Sequence, residues 1–170
     1  MKPVAETPTA PSDYAAISAT YGTLLATLAW AARRRAEELD PIGPAELAPL
    51  GLAAFTVTKT IVHEKAESWL RQPFVHEDED GRPPRGKGLR YAVGELLTCS
   101  RCMGTWSALG LVSLRLARPS AGRPVIAVLA AAGVNDFLQV GFSFGRSRCN
   151  REGHEAQMAQ ERLRSMPRAA

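Results

Sequence analysis

Long apolar segments that end in arginines constrain this chain more than any other feature. From Tyr14 to Ala32, nineteen residues pass without a formal charge before Arg33. At about 1.5 Å per residue, a helix of that length spans roughly 28 Å, close to the thickness of a bilayer core. A twenty-residue apolar run from Val125 to Phe144 is also long enough to cross a membrane. Lipid is therefore the predicted solvent for these segments.

Two other apolar runs are shorter. The run from Leu47 to Val62 carries Lys59 near its end, where a lysine can extend its ammonium group to the membrane surface. The helix formed by this run is predicted to continue to Arg71. Met103 to Leu114 crosses only if its helix begins near Leu96. No alternating strand pattern persists. The predicted fold class is all-α: a small polytopic membrane helical bundle of three to four helices with polar linkers. A soluble helical bundle is the alternative.

Polar segments divide the chain into three parts. Residues 1–13 contain three prolines and predict a disordered N-terminal arm. Residues 14–145 form the predicted helical membrane domain, with a flexible linker at about 72–90 that is rich in charge, glycine and proline. Residues 146–170 form a polar, basic C-terminal tail.

Composition excludes several classes of protein. Hydrophobic residues make up 45% and charged residues 22%, which excludes full disorder, and three cysteines are too few for a disulfide scaffold. The net charge is +4, but the basic residues are spread over several linkers and aromatics are only 6%. Nucleic acid is therefore not a predicted partner. The expected partners are the lipid bilayer and either a second copy or another membrane protein.

Basic residues also predict an orientation. With four spans and the N-terminus inside, the inner segments carry thirteen basic residues and the outer segments six. The positive-inside rule then places both termini in the cytoplasm. With three spans the termini would lie on opposite sides.

Cys99 and Cys102 form a Cys-x-x-Cys pair. Two thiolates one helical turn apart can hold a metal such as zinc, or they can cycle between dithiol and disulfide. Zinc normally needs four ligands, and neither Cys149 nor any histidine stands at an established zinc spacing. Packing at the start of a helix is the third interpretation.

Asn135 and Asp136 fall in the middle of the last apolar run. An ionised aspartate at mid-membrane costs roughly 2.5–3.5 kcal/mol even on the lenient insertion scale. Asp136 is therefore expected to pair with Lys59 or Arg101. One carboxylate with one amide is a structural contact rather than an ion relay.

The block GELLTCSRCMGTWSA, from Gly94 to Ala108, resembles the signature of an uncharacterised bacterial membrane-protein family, domain of unknown function 1360. The resemblance covers roughly residues 14–145, and it implies an integral membrane protein without supplying a reaction. Members commonly carry proline between the cysteines, where this chain has Ser100 and Arg101.

Three other residues of this block are candidate site residues. Glu95 stands just before the apolar run, where a helix N-terminus favours a carboxylate. Gly104 and Ala108 form a small-xxx-small pair that can seat another helix, while Trp106 lies on a different face.

The sequence carries no phosphate-binding loop, no zinc-protease motif and no nucleophile elbow. The predicted function is a non-catalytic interaction or scaffold subunit, with no catalytic or cofactor-binding residue. The alternatives are a membrane thiol-redox or metal-binding protein that uses Cys99 and Cys102, and the soluble bundle.

Overall fold

The structure is a computed structural model that describes residues 4–78 and 81–165. Within these ranges the chain forms helices and two isolated β-bridges, Val75–Pro84 and Asp78–Gly81, and contains no strand, which confirms the predicted all-α class. Short 3-10 turns occupy Val4–Glu6 and Lys65–Glu67. The six α-helices are α1 (Pro11–Arg34), α2 (Pro44–His63), α3 (Ser68–Arg71), α4 (Leu89–Thr98), α5 (Ser100–Ala117) and α6 (Pro119–Ser165).

Three of these helices are long and apolar enough to cross a membrane, judged by length and composition over the described residues. They are α1, α2 and the part of α6 from Pro119 to Arg151. The first helix begins at Pro11, three residues before the start of the uncharged run, because proline suits the first helical turn. The Ala10 N–H donates to Asp13 Oδ2 at 2.8 Å and so satisfies one free donor of that turn. No residue of α1 is buried.

The main packing joins α2 to α5. Its core consists of small and branched apolar side chains of α2 and α5, and the first part of α6 adds one further side chain. Thr56 Oγ1 of α2 donates to Leu129 O of α6 at 2.9 Å, and Gly133 lets the two backbones approach, because a Cβ there would lie 2.7 Å from Thr56 Oγ1. The core residues are Leu50, Ala53, Ala54, Leu111 and Ile126.

The helix containing Lys59 does not continue to Arg71, so that prediction is wrong. The backbone becomes extended at Glu64, and α2 ends at His63. The physical reason is the buried Arg71, whose N–H groups donate hydrogen bonds to the carbonyl groups at the end of the helix. Arg71 donates to Ile61 O and, at 2.9 Å, to Glu64 O, and it forms an ion pair with Glu77 at 2.7 Å.

The segment predicted as a flexible linker is held by hydrogen bonds. The Arg85 N–H donates to Phe74 O at 2.7 Å, and the His76 N–H donates to Pro83 O at 2.9 Å. Val75 between them is fully buried. These contacts place the segment against α4.

The helix that contains Met103 to Leu114 begins at Ser100 and not near Leu96, so the condition under which that run would cross a membrane is not met. Cys99 has extended backbone angles (φ −96°, ψ 104°), so that it ends α4 and at the same time starts α5. The bend occurs where a thiol can serve as the N-cap acceptor of the second helix. It sets the geometry of the cysteine pair.

The chain divides into two compact units whose boundary lies within α6, between Gly133 and Val134. The first unit contains α1 to α5 and the first part of α6. In the second unit, α6 continues as a helix to Ser165, with exposed apolar side chains that include Phe137, Leu138 and Phe142.

Candidate thiol site

The cysteine pair lies at the N-terminus of α5. Cys99 is the N-cap residue, and its Sγ accepts a hydrogen bond from the Cys102 N–H at 3.3 Å. The two sulfur atoms lie 2.7 Å apart, in hydrogen-bond contact. The positive end of a helix stabilises a thiolate. This arrangement favours ionisation of the N-cap cysteine over its partner.

The surroundings separate the acidities of the two thiols. Burial raises the pKa of Cys99, but hydrogen bonds from the Cys102 side chain and from the Cys102 and Arg101 backbone, with the Arg101 charge, bring it below the usual thiol value. Burial, the hydrogen bond to Cys99 and the charge of Cys99 raise the pKa of Cys102 to about 11. Cys99 is therefore the more acidic thiol of the pair.

An open cavity of about 480 Å³ lies beside Cys102, between α1, α4 and α5. Its walls are mostly apolar, with a few polar groups and three aromatic rings. Cys102 is the cysteine of the pair that lines it, so a molecule bound there would meet a sulfur atom. The lining residues are Tyr14, Ile17, Ser18, Tyr21, Ala92, Glu95, Leu96, Arg101, Cys102, Thr105 and Trp106.

A chain of hydroxyl groups forms one polar side of this cavity. Tyr14 Oη donates to Glu95 Oε2 at 2.5 Å, and Thr9 Oγ1 donates to Tyr14 Oη at 3.2 Å. From the sequence, Glu95 is expected to lie at the start of a helix. In the structure it lies in the second half of α4 and binds α1 across 81 positions of sequence.

Two aromatic rings form another side. Tyr21 of α1 and Trp106 of α5 meet edge to face, with ring centroids 5.3 Å apart and an interplanar angle of 68°. Aromatic pairs prefer this geometry because the positive ring edge faces the negative ring face. The contact holds α1 against the cysteine helix.

Gly104 lies on another side of α5, which faces α2. A Cβ there would meet Thr58 Oγ1 at an ordinary 3.9 Å. Gly104 lines a second open cavity of about 600 Å³. Next to it, His63 Nε2 and Ser100 Oγ lie 3.1 Å apart and connect the end of α2 to the start of α5.

The remaining candidate residues from the sequence are Lys59, Asn135 and Asp136. Lys59, in α2, forms an ion pair with Glu64 at 3.5 Å. Asn135 and Asp136 lie in the second unit. The pairing of Asp136 with Lys59 or Arg101 stays a prediction.

Among the side chains that the structure describes, no group of three or more histidine, cysteine, aspartate or glutamate residues is placed to hold a metal ion. Cys99 and Cys102 supply two of the four ligands that zinc prefers. A zinc ion at the pair would need ligands from elsewhere.

Sequence reasoning missed Tyr14 and Tyr21 as site residues. They are seven positions apart, about two helical turns, so they share a face of α1. That spacing could have identified the two tyrosines as neighbours on one face of α1. Their partners Glu95 and Trp106 are too far along the chain for any local pattern to show the contact.

Comparisons with known proteins give two relatives from Bacillus subtilis (strain 168). The chain is 32% identical over 99 residues to "Sporulation protein YjcA", and the match covers 53% of this chain and 84% of that protein. It is 29% identical over 98 residues to "UPF0713 protein YngL", and this match covers 55% of this chain and 75% of that protein. No solved structure gives a significant match.

The sequence profile of the family described as "Protein of unknown function (DUF1360)" matches residues 49–142. This range includes the cysteine block and covers more than half of the chain. The resemblance noted from that block is confirmed. The chain belongs to the DUF1360 family.

Proposed function

We propose that this protein is a membrane protein that exchanges thiols and disulfides through Cys99 and Cys102. The observation that carries the proposal is the N-cap position of Cys99, whose Sγ lies 2.7 Å from that of Cys102. A pair at a helix N-terminus with one acidic and one weakly acidic thiol is suited to attack a disulfide and then to release the product.

The reaction balances without a metal. The Cys99 thiolate attacks one sulfur of a substrate disulfide, so that a mixed disulfide forms and one substrate thiolate leaves. Cys102 Sγ then attacks Cys99 Sγ, which closes the Cys99–Cys102 disulfide and releases the second substrate thiolate. The reverse sequence oxidises a substrate dithiol. The substrate class is therefore a protein dithiol or disulfide.

The experiment compares Cys99 with the exposed Cys149 in the full chain purified in detergent. Cys99 is expected to react with iodoacetamide at a lower pH than Cys149, because its lowered pKa keeps the thiolate at pH values where an ordinary thiol is protonated. Mass spectrometry of the alkylated peptides gives each rate. Cys102→Ala removes the hydrogen bond to Cys99 and is expected to move the Cys99 profile towards higher pH.

Titration with reduced and oxidised glutathione completes the test. A Cys99–Cys102 disulfide is expected to form in the wild type and in Cys149→Ser, and in neither Cys99→Ser nor Cys102→Ser. Equal pH profiles for Cys99 and Cys149, with no disulfide at any glutathione ratio, would exclude the proposal. Zinc measured in the same samples tests the metal-binding alternative.

A scaffold or interaction role is the second candidate, and α1 favours it. The helix has no buried residue, and a Cβ at Gly22 would meet nothing within 4 Å. The small residues Gly22, Ala26 and Ala29 lie at spacings of four and three and are exposed, so this face is open to a helix of another chain. Cross-linking in native membranes tests this role, and a chain that stays monomeric and captures no partner argues against it.

The bacterial inner membrane is part of the proposal. It is supported by the three helices that are long and apolar enough to cross a membrane. An odd number of crossings places the termini on opposite sides, whereas four crossings place both in the cytoplasm. Reporter fusions at each terminus distinguish these topologies.

A further inference from the structure

We propose that the cavity beside Cys102 binds an isoprenoid quinone, which accepts the electrons of the Cys99–Cys102 dithiol. This inference rests on the proposed function, because it names the oxidant that regenerates the disulfide. It goes further by giving the cavity between α1, α4 and α5 a ligand class.

The cavity matches the shape and polarity of a quinone headgroup. At about 480 Å³ it lies within the usual range for small-molecule sites. A quinone ring is flat and apolar, and the Trp106 and Tyr21 rings offer it aromatic surface. Ile17 and Leu96 add aliphatic walls.

The polar groups match the two carbonyl oxygens of a quinone, which accept hydrogen bonds and donate none. Arg101 lines the cavity and carries N–H donors, whereas the Thr105 hydroxyl already donates to Cys102 O at 2.7 Å. A fatty-acyl chain offers the Arg101 guanidinium no acceptor. Hydrogen-bond complementarity therefore favours a quinone over a simple lipid tail.

The position of the cavity also suits a lipid-soluble oxidant. One wall belongs to α1, which is long and apolar enough to cross a membrane. Quinones with isoprenoid tails dissolve in the bilayer. A site open beside such a helix gives the ring access from lipid to Cys102.

The transfer balances in two steps. Cys102 Sγ adds to a ring carbon of the quinone, and its proton passes through Cys99 Sγ, 2.7 Å away, to a quinone oxygen. The Cys99 thiolate then attacks Cys102 Sγ, so that the S–S bond forms, the S–C bond breaks and the electron pair stays on the ring. The Cys99 thiolate and the Cys102 thiol together give up two electrons and one proton, and the quinol takes its second proton from water.

The experiment uses the reduced full chain in detergent with decylubiquinone as the probe. One quinol is expected to form for each Cys99–Cys102 disulfide, at a rate that saturates with quinone concentration. Trp106→Ala is expected to raise the half-saturating quinone concentration about tenfold, since it removes the aromatic surface. Trp30→Ala is the matched control, because Trp30 is exposed on α1 and lies outside the cavity.

A trapping experiment tests the covalent step. Cys99→Ser leaves Cys102 able to add to the ring but removes the sulfur that resolves the adduct. Mass spectrometry is expected to find one quinone attached at Cys102 in this variant and none in Cys102→Ser.

The outcomes separate this inference from the function on which it rests. Disulfide formation with glutathione but no quinol with decylubiquinone would overturn the quinone site alone. Equal half-saturation in Trp106→Ala and Trp30→Ala would also overturn it, because the reaction would then occur outside the cavity. No disulfide with either oxidant would overturn both. A melting temperature of Trp106→Ala in detergent equal to that of the wild type shows that this variant is folded.

Discussion

At the scale of single residues, Gly94 decides how closely the segment after α3 can approach α4. A Cβ at this position would lie 2.4 Å from Phe74 O and 2.9 Å from Pro84 Cβ. Both neighbours belong to a segment held by backbone hydrogen bonds, so neither can move away freely. The absence of a side chain is therefore a packing requirement at Gly94.

Gly94→Ala is expected to lower the free energy of unfolding by about 1–3 kcal/mol, the usual cost of overpacking. Gly110→Ala is the matched control, because Gly110 lies within α5 and a Cβ there would meet nothing within 4 Å. That substitution is expected to be neutral or slightly stabilising, since alanine favours helix. Denaturant unfolding in detergent measures both variants, and equal effects would contradict this role of Gly94.

At the scale of elements, the end of α2 depends on Arg71. This side chain is fully buried, it binds the carbonyl groups of Ile61 and Glu64, and it pairs with Glu77, which is 34% exposed. One residue thus ends a helix and ties it to the next segment. Burial of a charge is tolerated here because its donors find acceptors.

Arg71→Met is expected to cost about 3 kcal/mol of stability, because it leaves helix-end carbonyls unpaired and removes the partner of Glu77. Arg118→Met removes an equal charge from an exposed position and serves as the control, with an expected change near zero. Thermal unfolding in detergent compares the two. A melting temperature for Arg71→Met equal to that of the control would exclude this capping role.

The sequence predicts the elements that follow from local composition and misses those that depend on distant groups. Apolar runs locate α1, α2 and part of α6, because a long run without charge is itself the signal of a helix that can cross a membrane. The break at Glu64 depends on Arg71, and the docking of α1 depends on Glu95, so neither has a local signal. The cysteine pair is visible as a motif, but its cavity comes from three separate helices.

At the scale of the whole molecule, the three apolar helices predict how the protein fractionates. The full chain is expected to stay in the membrane pellet after carbonate extraction, because α1 alone presents 24 residues without a buried side chain. A high-salt wash controls for loosely bound material. Release into the supernatant, or a monodisperse chain in buffer without detergent, would exclude membrane insertion.

The double role of Cys99, which both ends α4 and starts α5, leaves no spare position between these helices. Inserting one residue there would turn α5 by about 100° relative to α4. Glu95 and Cys102 would then face different directions. A change of chain length at this joint would therefore separate Glu95 from Cys102, although both line the same cavity.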